Sequence, residues 1–154
     1  SISTTISINI VLWLIFIFRA WRWKIFYPWL VQIPDLSGKW EGEIRSNSDK
    51  RKQDSIPIEV HIRQSFIHIQ VSMITDESRS HSITASFDID KDRGFQRVFY
   101  TYKNDPKSKS RDSSPIHYGS TLLHCEGFQV KQMEGEYWTS RESTGEIYLN
   151  KVSS

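Results

Sequence analysis

Hydroxyl groups, aromatic rings and one arginine, rather than acid–base pairs, are the side chains of this sequence that offer chemistry. Tyr137 and Thr139 stand just before Arg141 near the end of the chain, and Tyr118 lies upstream of them. Aromatic rings that stack on bases beside an arginine are a recurrent way of holding nucleotides. The same rings and hydroxyls are also typical of the solvent-facing side of a strand, so both interpretations stay open.

A second group of hydroxyls occupies alternate positions, namely Ser78, Ser80, Ser82 and Thr84. Since alternate residues of a strand face the same side, this polar row is predicted to lie opposite an apolar row. The apolar row consists of Ile83, Ala85 and Phe87. A row of hydroxyls is either a strand surface in contact with water or the wet lining of a pocket that binds a polar ligand. The sequence alone is compatible with both.

Trp40 is a further candidate. It lies in the run Ser37–Gly42, which resembles the opening strand of lipocalins, where a Gly-x-Trp tryptophan closes the barrel floor and an arginine of the last strand stacks on it. By that resemblance, Arg141 is predicted to contact the Trp40 ring through a cation–π interaction. A structural role for this pair competes with a role in ligand binding.

The sequence offers no constellation of the kinds that catalyse reactions or bind metals. Its five histidines include no i, i+4 helical pair, and its one cysteine, Cys125, excludes a Cys-rich zinc site. There is no nucleophile elbow of the G-x-S-x-G type and no glycine-rich phosphate loop. We therefore expect a protein that is not an enzyme and that uses neither a metal nor a cofactor.

The charges are divided unevenly along the chain. Before Pro34 there are three basic residues and no acidic one, whereas the remainder carries seventeen basic and eighteen acidic residues. Proteins that bind DNA or RNA polymers display a broad basic face, because they neutralise many phosphates. A nearly neutral domain argues against such a polymer as partner, but it is compatible with a small anionic ligand.

The N-terminal segment has the composition of a membrane anchor. The first eighteen residues carry no charge, and a helix of that length spans roughly 27 Å, close to the thickness of the hydrocarbon core. Arg19, Arg22 and Lys24 follow directly among Trp and Tyr residues, which places this end at the cytoplasmic interface by the positive-inside rule. The chain opens with Ser1 rather than Met, so we expect upstream sequence.

Beyond residue 34 the alternation of apolar and polar residues recurs between short polar turns, as in β-strands. Eight strands are predicted at about Trp40–Ile44, Ile56–Ile62, Ile67–Met73, Ile83–Ile89, Phe95–Tyr102, Ile116–Cys125, Met133–Ser140 and Gly145–Val152. Turns are expected near Arg63–Phe66 and Glu142–Thr144. Without crossover helices, these strands predict an all-β fold, an eight-stranded antiparallel meander closed into a barrel, since closure removes exposed edges.

The predicted organisation is therefore a transmembrane helix with a basic and aromatic juxtamembrane segment over residues 1–34, and a ligand-sensing barrel over residues 35–154. An eight-stranded barrel is either filled by side chains or just wide enough for one small ligand. Two polar connections, Ser46–Ser55 and Lys103–Pro115, are predicted to be solvated loops or the rim of a mouth that attracts an anion.

The order of four motifs resembles a known family. The apolar anchor is followed by Pro34–Gly42, by the Ser-x-Ser-x-Ser run at Ser78–Ser82, and by Gly135–Arg141 with Thr144–Ile147. This arrangement resembles the two-transmembrane β-barrel effectors of bacterial cyclic-oligonucleotide-based antiphage signalling (CBASS), the SMODS-associated membrane β-strand-rich family. The likeness covers essentially Ile6–Val152.

The resemblance implies a mechanism for antiphage defence. A partner nucleotidyltransferase makes a cyclic dinucleotide on infection, and the cytoplasmic barrel binds it as its activating ligand. The chains then form a homo-oligomer, and their membrane segments, in contact with lipid, disrupt the bacterial inner membrane and kill the cell. Because the family has two membrane helices and this chain shows one, the first is expected to precede Ser1.

A cyclic dinucleotide presents phosphates, bases and sugar hydroxyls, which call for an arginine, aromatic faces and hydroxyl donors. On that chemistry the predicted ligand-binding residues are Trp40, Ser80, Ser82, Tyr118, Tyr137, Thr139 and Arg141. The alternative function is that of a lipocalin-like, membrane-tethered barrel that carries a small apolar ligand.

Overall fold

The structure is a computed structural model that describes residues 2–47, 55–110 and 115–152. A helix, α1, covers Ile2–Phe18, and single 3-10 turns follow at Ala20–Arg22 and Lys24–Phe26. The strands are β1 (Gly38–Ser46), β2 (Ser55–Gln64), β3 (Ile69–Ile74), β4 (Ser78–Asp90), β5 (Phe95–Pro106), β6 (His117–His124), β7 (Gln132–Thr139) and β8 (Thr144–Lys151). A further 3-10 turn, Ser108–Ser110, comes after β5.

The strands pair antiparallel in sequence order, and β8 pairs with β1, so that the sheet closes into a barrel. Every second side chain points inward, where the fully or almost fully buried residues include Val60, Val71, Val98, Leu123, Ile147 and Leu149. Burying each such side chain stabilises the fold by about 1.5–3 kcal/mol. The predicted all-β, eight-stranded, closed meander is thus confirmed, as is a helix before it.

A β-bulge in β4 changes the predicted division of its two faces. In the pairing of β4 with β5, Ser82 and Thr84 oppose consecutive residues, and Ile83 is left without a partner. The extra residue inverts the inward–outward alternation. The inner face therefore holds Ser78, Ser80 and Ser82 before the bulge, and Ala85 and Phe87 after it. The prediction that the serines lie opposite Ala85 and Phe87 was wrong, and Ile83 and Thr84 are both exposed.

The second predicted polar connection is shorter than expected. Strand β5 continues to Pro106, because its polar end pairs with β4, where Ser78 opposes Pro106. Lysines and arginines of the two predicted loops, namely Lys50, Arg51, Lys52 and Arg111, lie outside the described residues.

Trp40 closes one end of the barrel. Its indole is fully buried and donates a hydrogen bond of 2.9 Å to the Leu36 carbonyl. The Gln64 side chain accepts from the Leu36 N–H at 2.8 Å and donates to the Pro34 carbonyl at 2.8 Å, so the entering chain is fastened across this end. The Lys151 ammonium lies 5.4 Å from the centre of the Trp40 ring.

The predicted contact between Arg141 and Trp40 was wrong. Arg141 lies in the turn before β8, and Lys151, which pairs with Trp40, lies at the other end of that strand. The eight residues of β8 separate the two ends by about 24 Å, at roughly 3.4 Å for each step. The cation on the tryptophan is therefore Lys151, and Arg141 belongs to the opposite, open end.

Arg22 joins the helix to the closed end of the barrel. Its guanidinium donates to the Phe18 carbonyl at 2.9 Å, to the Ser37 hydroxyl at 3.0 Å and to the Gln64 carbonyl at 2.5 Å. Its Nε lies 3.3 Å from the Asp35 carboxylate. One cation thus satisfies acceptors from α1, from the chain before β1 and from β2.

Apolar contacts reinforce this junction. The Phe66 N–H donates to the Ile17 carbonyl at 2.9 Å, and the Phe66 ring lies 5.2 Å from that of Phe16. Trp21 and Val31 have no exposed surface. The segment between α1 and β1 therefore packs on the barrel.

Helix α1 projects from this junction with its apolar side chains uncovered. Residues 2–15 are exposed, and consecutive apolar residues from Ile10 to Ile15 occupy every side of the helix. Within the part of the chain that the structure describes, no helix combines the length and the hydropathy needed to traverse a bilayer.

Closure of the barrel predicts a steric requirement at Gly42. A Cβ at this position would overlap with the backbone carbonyl of Tyr148, where β1 approaches β8. Gly42→Ala should therefore lower the free energy of unfolding by about 1–3 kcal/mol through overpacking, measured by urea denaturation. Gly94→Ala is the comparison, because its Cβ meets open space and only its positive φ of 71° opposes the substitution. A loss at Gly42 no larger than that at Gly94 would contradict the steric explanation.

Candidate functional site

At the end of the barrel opposite Trp40, the residues that the structure describes surround a cavity of about 430 Å³. Its polar lining includes Ser78, Asn104, His117, Tyr137, Thr139 and Arg141, and its apolar base includes Ile44, Met73 and Ile147. The volume falls in the range of small-molecule sites, which run from about 300 to 1,000 Å³. We call this space the mouth cavity.

A larger depression of about 650 Å³ lies at the β6–β7 connection and along β8. Glu126 and Glu134 line it together with Lys131. Aromatic, hydroxyl, amide and guanidinium groups from several strands converge instead in the mouth cavity. Convergent polar groups over an apolar base are the usual mark of a ligand site, so the mouth cavity is the candidate.

Two glycines make room for the tyrosines of the mouth. Tyr102 opposes Gly119, where a Cβ would overlap with the Tyr102 hydroxyl. Tyr137 opposes Gly145, where a Cβ would lie 2.6 Å from the Tyr137 ring. Each ring therefore lies across the bare backbone of the neighbouring strand, which fixes its position in the barrel.

A tight turn carries Arg141 to the rim of the cavity. The Thr139 N–H donates to the Ser143 carbonyl at 3.0 Å, and the two hydroxyls lie 2.6 Å apart. The Arg141 N–H donates to the Thr139 hydroxyl at 3.3 Å, and Glu142 adopts a left-handed φ of 62°. A turn between the last two strands is confirmed, but it comprises residues 140–143 rather than Glu142–Thr144, and it holds the Arg141 backbone in one place.

The β3–β4 turn forms another part of the rim. The Thr75 hydroxyl accepts from the N–H groups of Ser78 at 2.9 Å and Glu77 at 3.2 Å. Lys107 fastens the turn from outside, because its N–H donates to the Glu77 carbonyl at 2.8 Å and its ammonium to the Asp76 carbonyl at 2.7 Å.

Charges around the rim are distributed asymmetrically. Arg141 supplies a cation on the β7–β8 turn, whereas Asp76 and Glu77 supply carboxylates on the β3–β4 turn. An anionic group in the cavity is attracted to Arg141, while the Lys107 ammonium beside Asp76 offsets part of the repulsion from the two carboxylates. Among the described residues that line the cavity, Arg141 is therefore the side chain suited to an anionic group.

Burial keeps the interior tyrosines neutral. Desolvation raises the pKa of Tyr100 to about 12. Desolvation also raises the pKa of Tyr102, and the neighbouring Tyr100 and Tyr137 raise it further, while the Arg141 charge opposes the shift. The Tyr102 hydroxyl at the cavity is therefore a neutral group that donates and accepts hydrogen bonds.

Three of the seven predicted ligand-binding residues, Tyr137, Thr139 and Arg141, line the mouth cavity together. Ser80 is buried on the same inner face, where it pairs with Met73 on one side and Asn104 on the other, both of which line the cavity.

The other three predicted residues lie elsewhere. The Ser82 hydroxyl accepts from the Val71 N–H at 3.0 Å and so is used within the sheet. Tyr118 points outward with 55% of its side chain exposed, and Trp40 lies at the closed end. The structure therefore does not bring these three to the cavity.

Sequence reasoning missed Tyr102, Asn104 and His117, which all line the mouth cavity. The predicted connection Lys103–Pro115 contains Asn104, because the apolar alternation of β5 stops at Tyr102. A usable signal was present for Tyr102, since Gly119 is a glycine inside a predicted strand, and such a glycine often marks the close approach of another group.

Among residues 2–47, 55–110 and 115–152, no group of His, Cys, Asp and Glu is arranged to hold a metal ion. Cys125 is buried, and desolvation raises the pKa of its thiol to about 12, which keeps it in the unreactive protonated form.

The described residues form a closed barrel with a packed interior. At one end, aromatic rings, hydroxyls, an amide and an arginine line a cavity. These features define a small ligand-binding β-barrel. Residues 31–151 match the family described as "Cap15, cyclic dinucleotide receptor domain". This match covers most of the chain, and the chain belongs to that family.

Individual relatives agree with the family match. The chain is 32% identical over 154 residues to CD-NTase-associated protein 15 of Staphylococcus schleiferi, covering 98% of the chain and 79% of that protein. It is 28% identical over 142 residues to the protein of the same name from Escherichia albertii, covering 90% and 72%, respectively. For that of Yersinia aleksiciae, identity is 29% over 124 residues, covering 78% and 56%.

These comparisons confirm the resemblance at the level of the receptor domain. The family match begins at residue 31, so it does not include α1. Neither the description of the family nor the names of the relatives denote an enzyme.

The buried tyrosine predicts how stability depends on pH. Because the pKa of Tyr100 is 10.0 in the unfolded chain and about 12 in the barrel, its contribution is intact below pH 10 and is lost as the pH rises towards 12. Over that range it should lower the free energy of unfolding by about 1.4 kcal/mol per pH unit. The free energy of unfolding of Tyr100→Phe, measured by urea denaturation, should fall less steeply with pH than that of the parent. The values of each protein are normalised to its value at pH 8. Equal slopes for the two proteins would contradict the assignment.

Proposed function

We propose that the chain is a cyclic-dinucleotide receptor of bacterial antiphage defence, with the mouth cavity as its ligand site. The observation that carries the proposal is the convergence of Tyr137, Thr139 and Arg141 on one cavity in a chain that belongs to a cyclic dinucleotide receptor family. The relatives are named for association with a CD-NTase, and we propose the corresponding nucleotidyltransferase as the source of the ligand.

The proposed contacts follow from the chemistry of the lining. A phosphate is best held by a guanidinium, which forms charge-assisted and bidentate hydrogen bonds, and this assigns the phosphates to Arg141. The Tyr137 ring offers a stacking face for a base, and the Thr139 hydroxyl a hydrogen bond to a sugar or phosphate oxygen. The acidic β3–β4 turn keeps the phosphates on the Arg141 side.

Receptor function fits the interior better than the carriage of an apolar ligand. Trp40, Val60, Tyr100, Leu123, Met133 and Leu149 form one buried core inside the barrel. An apolar ligand would have to replace these side chains, whereas a polar ligand can lie in the mouth above them.

Arg141→Ala should weaken the binding of a cyclic dinucleotide by about tenfold to a hundredfold, the usual value of a hydrogen bond to a charged group. Isothermal titration calorimetry with the full chain in detergent measures this change. The matched control is Arg79→Ala, because Arg79 is an exposed arginine of β4 at the same end of the barrel that faces outward. Equal affinities for the two variants would show that Arg141 does not contact the ligand.

We propose further that α1 places the protein in the bacterial inner membrane, with the barrel in the cytoplasm. The support is the uncharged helix surface, which leaves Leu12, Trp13 and Leu14 about half exposed. Transfer of such a surface into lipid is favourable by about 25 cal/mol per Å². We propose that ligand binding drives assembly into a homo-oligomer and that the assembled chains disrupt the membrane. The ligand acts by binding the assembled state more tightly than the single chain.

Leu14→Glu should reduce co-flotation of the full chain with phosphatidylethanolamine/phosphatidylglycerol vesicles. A charged residue costs about 3 kcal/mol at the centre of a membrane helix and less towards its ends, where Leu14 lies. Affinity for a cyclic dinucleotide should remain unchanged because Leu14 is far from the mouth. Ile83→Glu, at an exposed apolar position of the barrel, is the control and should float like the parent. Unchanged flotation of the Leu14 variant would refute membrane binding by α1.

A further inference from the structure

We infer that Asn104, together with its neighbour His117, is the residue pair that distinguishes one nucleobase from another in the mouth cavity. The inference rests on the proposed receptor function and adds to it the part of the site that reads the base. Its starting observation is the position of one carboxamide. Asn104 is only 6% exposed and lines the mouth cavity, so its accessible surface faces that space.

Polar groups in a protein interior are usually hydrogen-bonded to the protein, to water or to a bound molecule. Because Asn104 lines the mouth cavity, a molecule bound there can form hydrogen bonds with its carboxamide. A carboxamide offers a donor and an acceptor side by side. Nucleobase edges present the same combination, and Asn pairs with them through two hydrogen bonds.

His117 places an acceptor next to this amide. The two residues are direct partners in the pairing of β5 with β6, and both line the cavity. The Nδ1 of His117 lies 3.0 Å from the Pro115 carbonyl oxygen, which can only accept, so Nδ1 carries the proton. In the neutral ring, Nε2 is then an acceptor. Asn104 and His117 thus present a short row of hydrogen-bonding groups in fixed order.

The charged group and the uncharged hydrogen-bonding groups occupy different parts of the cavity. Arg141 lies on the β7–β8 turn, whereas Asn104 and Ser80 are direct partners on β5 and β4. Phosphates identical in every cyclic dinucleotide belong at Arg141. Base edges, which differ between cyclic dinucleotides, belong at the uncharged amide.

The test is calorimetry of the full chain against 3′,3′-cyclic di-AMP, di-GMP and di-UMP. Asn104→Leu keeps a similar shape without side-chain hydrogen bonds. It should lower the affinity for the preferred ligand by about tenfold and reduce the differences in affinity among the three ligands. Asn104→Asp offers acceptors only, so it should shift the preference towards the guanine ligand, whose N1–H and N2–H both donate. Thermal melting confirms that each variant is folded.

Arg141→Ala is the internal comparison, because loss of a phosphate contact should weaken all three ligands by a similar factor. Unchanged affinity ratios in both Asn104 variants would overturn the inference while leaving the receptor function intact. Failure of the parent protein to bind any of the three ligands would instead count against the proposed function and, with it, the inference.

Discussion

The pairing of β1 with β8 is the constraint on which the rest of the structure depends. Once the sheet is closed, each residue has a fixed inward or outward direction, and apolar residues fill the interior from the Trp40 floor upward. At this junction Gly42 leaves room for the backbone of Tyr148, and Gly135 does the same where β7 meets β6. At the other end, Asn104, His117 and Tyr137 line the mouth cavity above this apolar packing.

Much of the fold could be predicted from the sequence, because alternation in segments such as Ile58–Ile62 follows burial. The β4 bulge could not, since one unpaired residue, Ile83, leaves no local mark in the alternation yet reverses the face of everything after it. The partner of Trp40 was also missed. A cation–π contact depends on strand register, and register pairs Trp40 with Lys151.

The candidate site was predicted in part for related reasons. Tyr137, Thr139 and Arg141 precede a recognisable turn, so their common position followed from local sequence. Asn104 and His117 are brought together by the pairing of β5 with β6. Neither residue belongs to an apolar pattern, and long-range pairing of polar strand ends is not encoded in composition or spacing.

The Arg22 junction has a mechanical consequence. Its guanidinium is bound at once to the last turn of α1, to the chain before β1 and to the end of β2. Tilting the helix relative to the barrel would break several of these hydrogen bonds together, so the contacts oppose a change in their relative orientation. Copies lying side by side through their helices would consequently hold their barrels in a fixed mutual orientation, with every mouth pointing away from the helices.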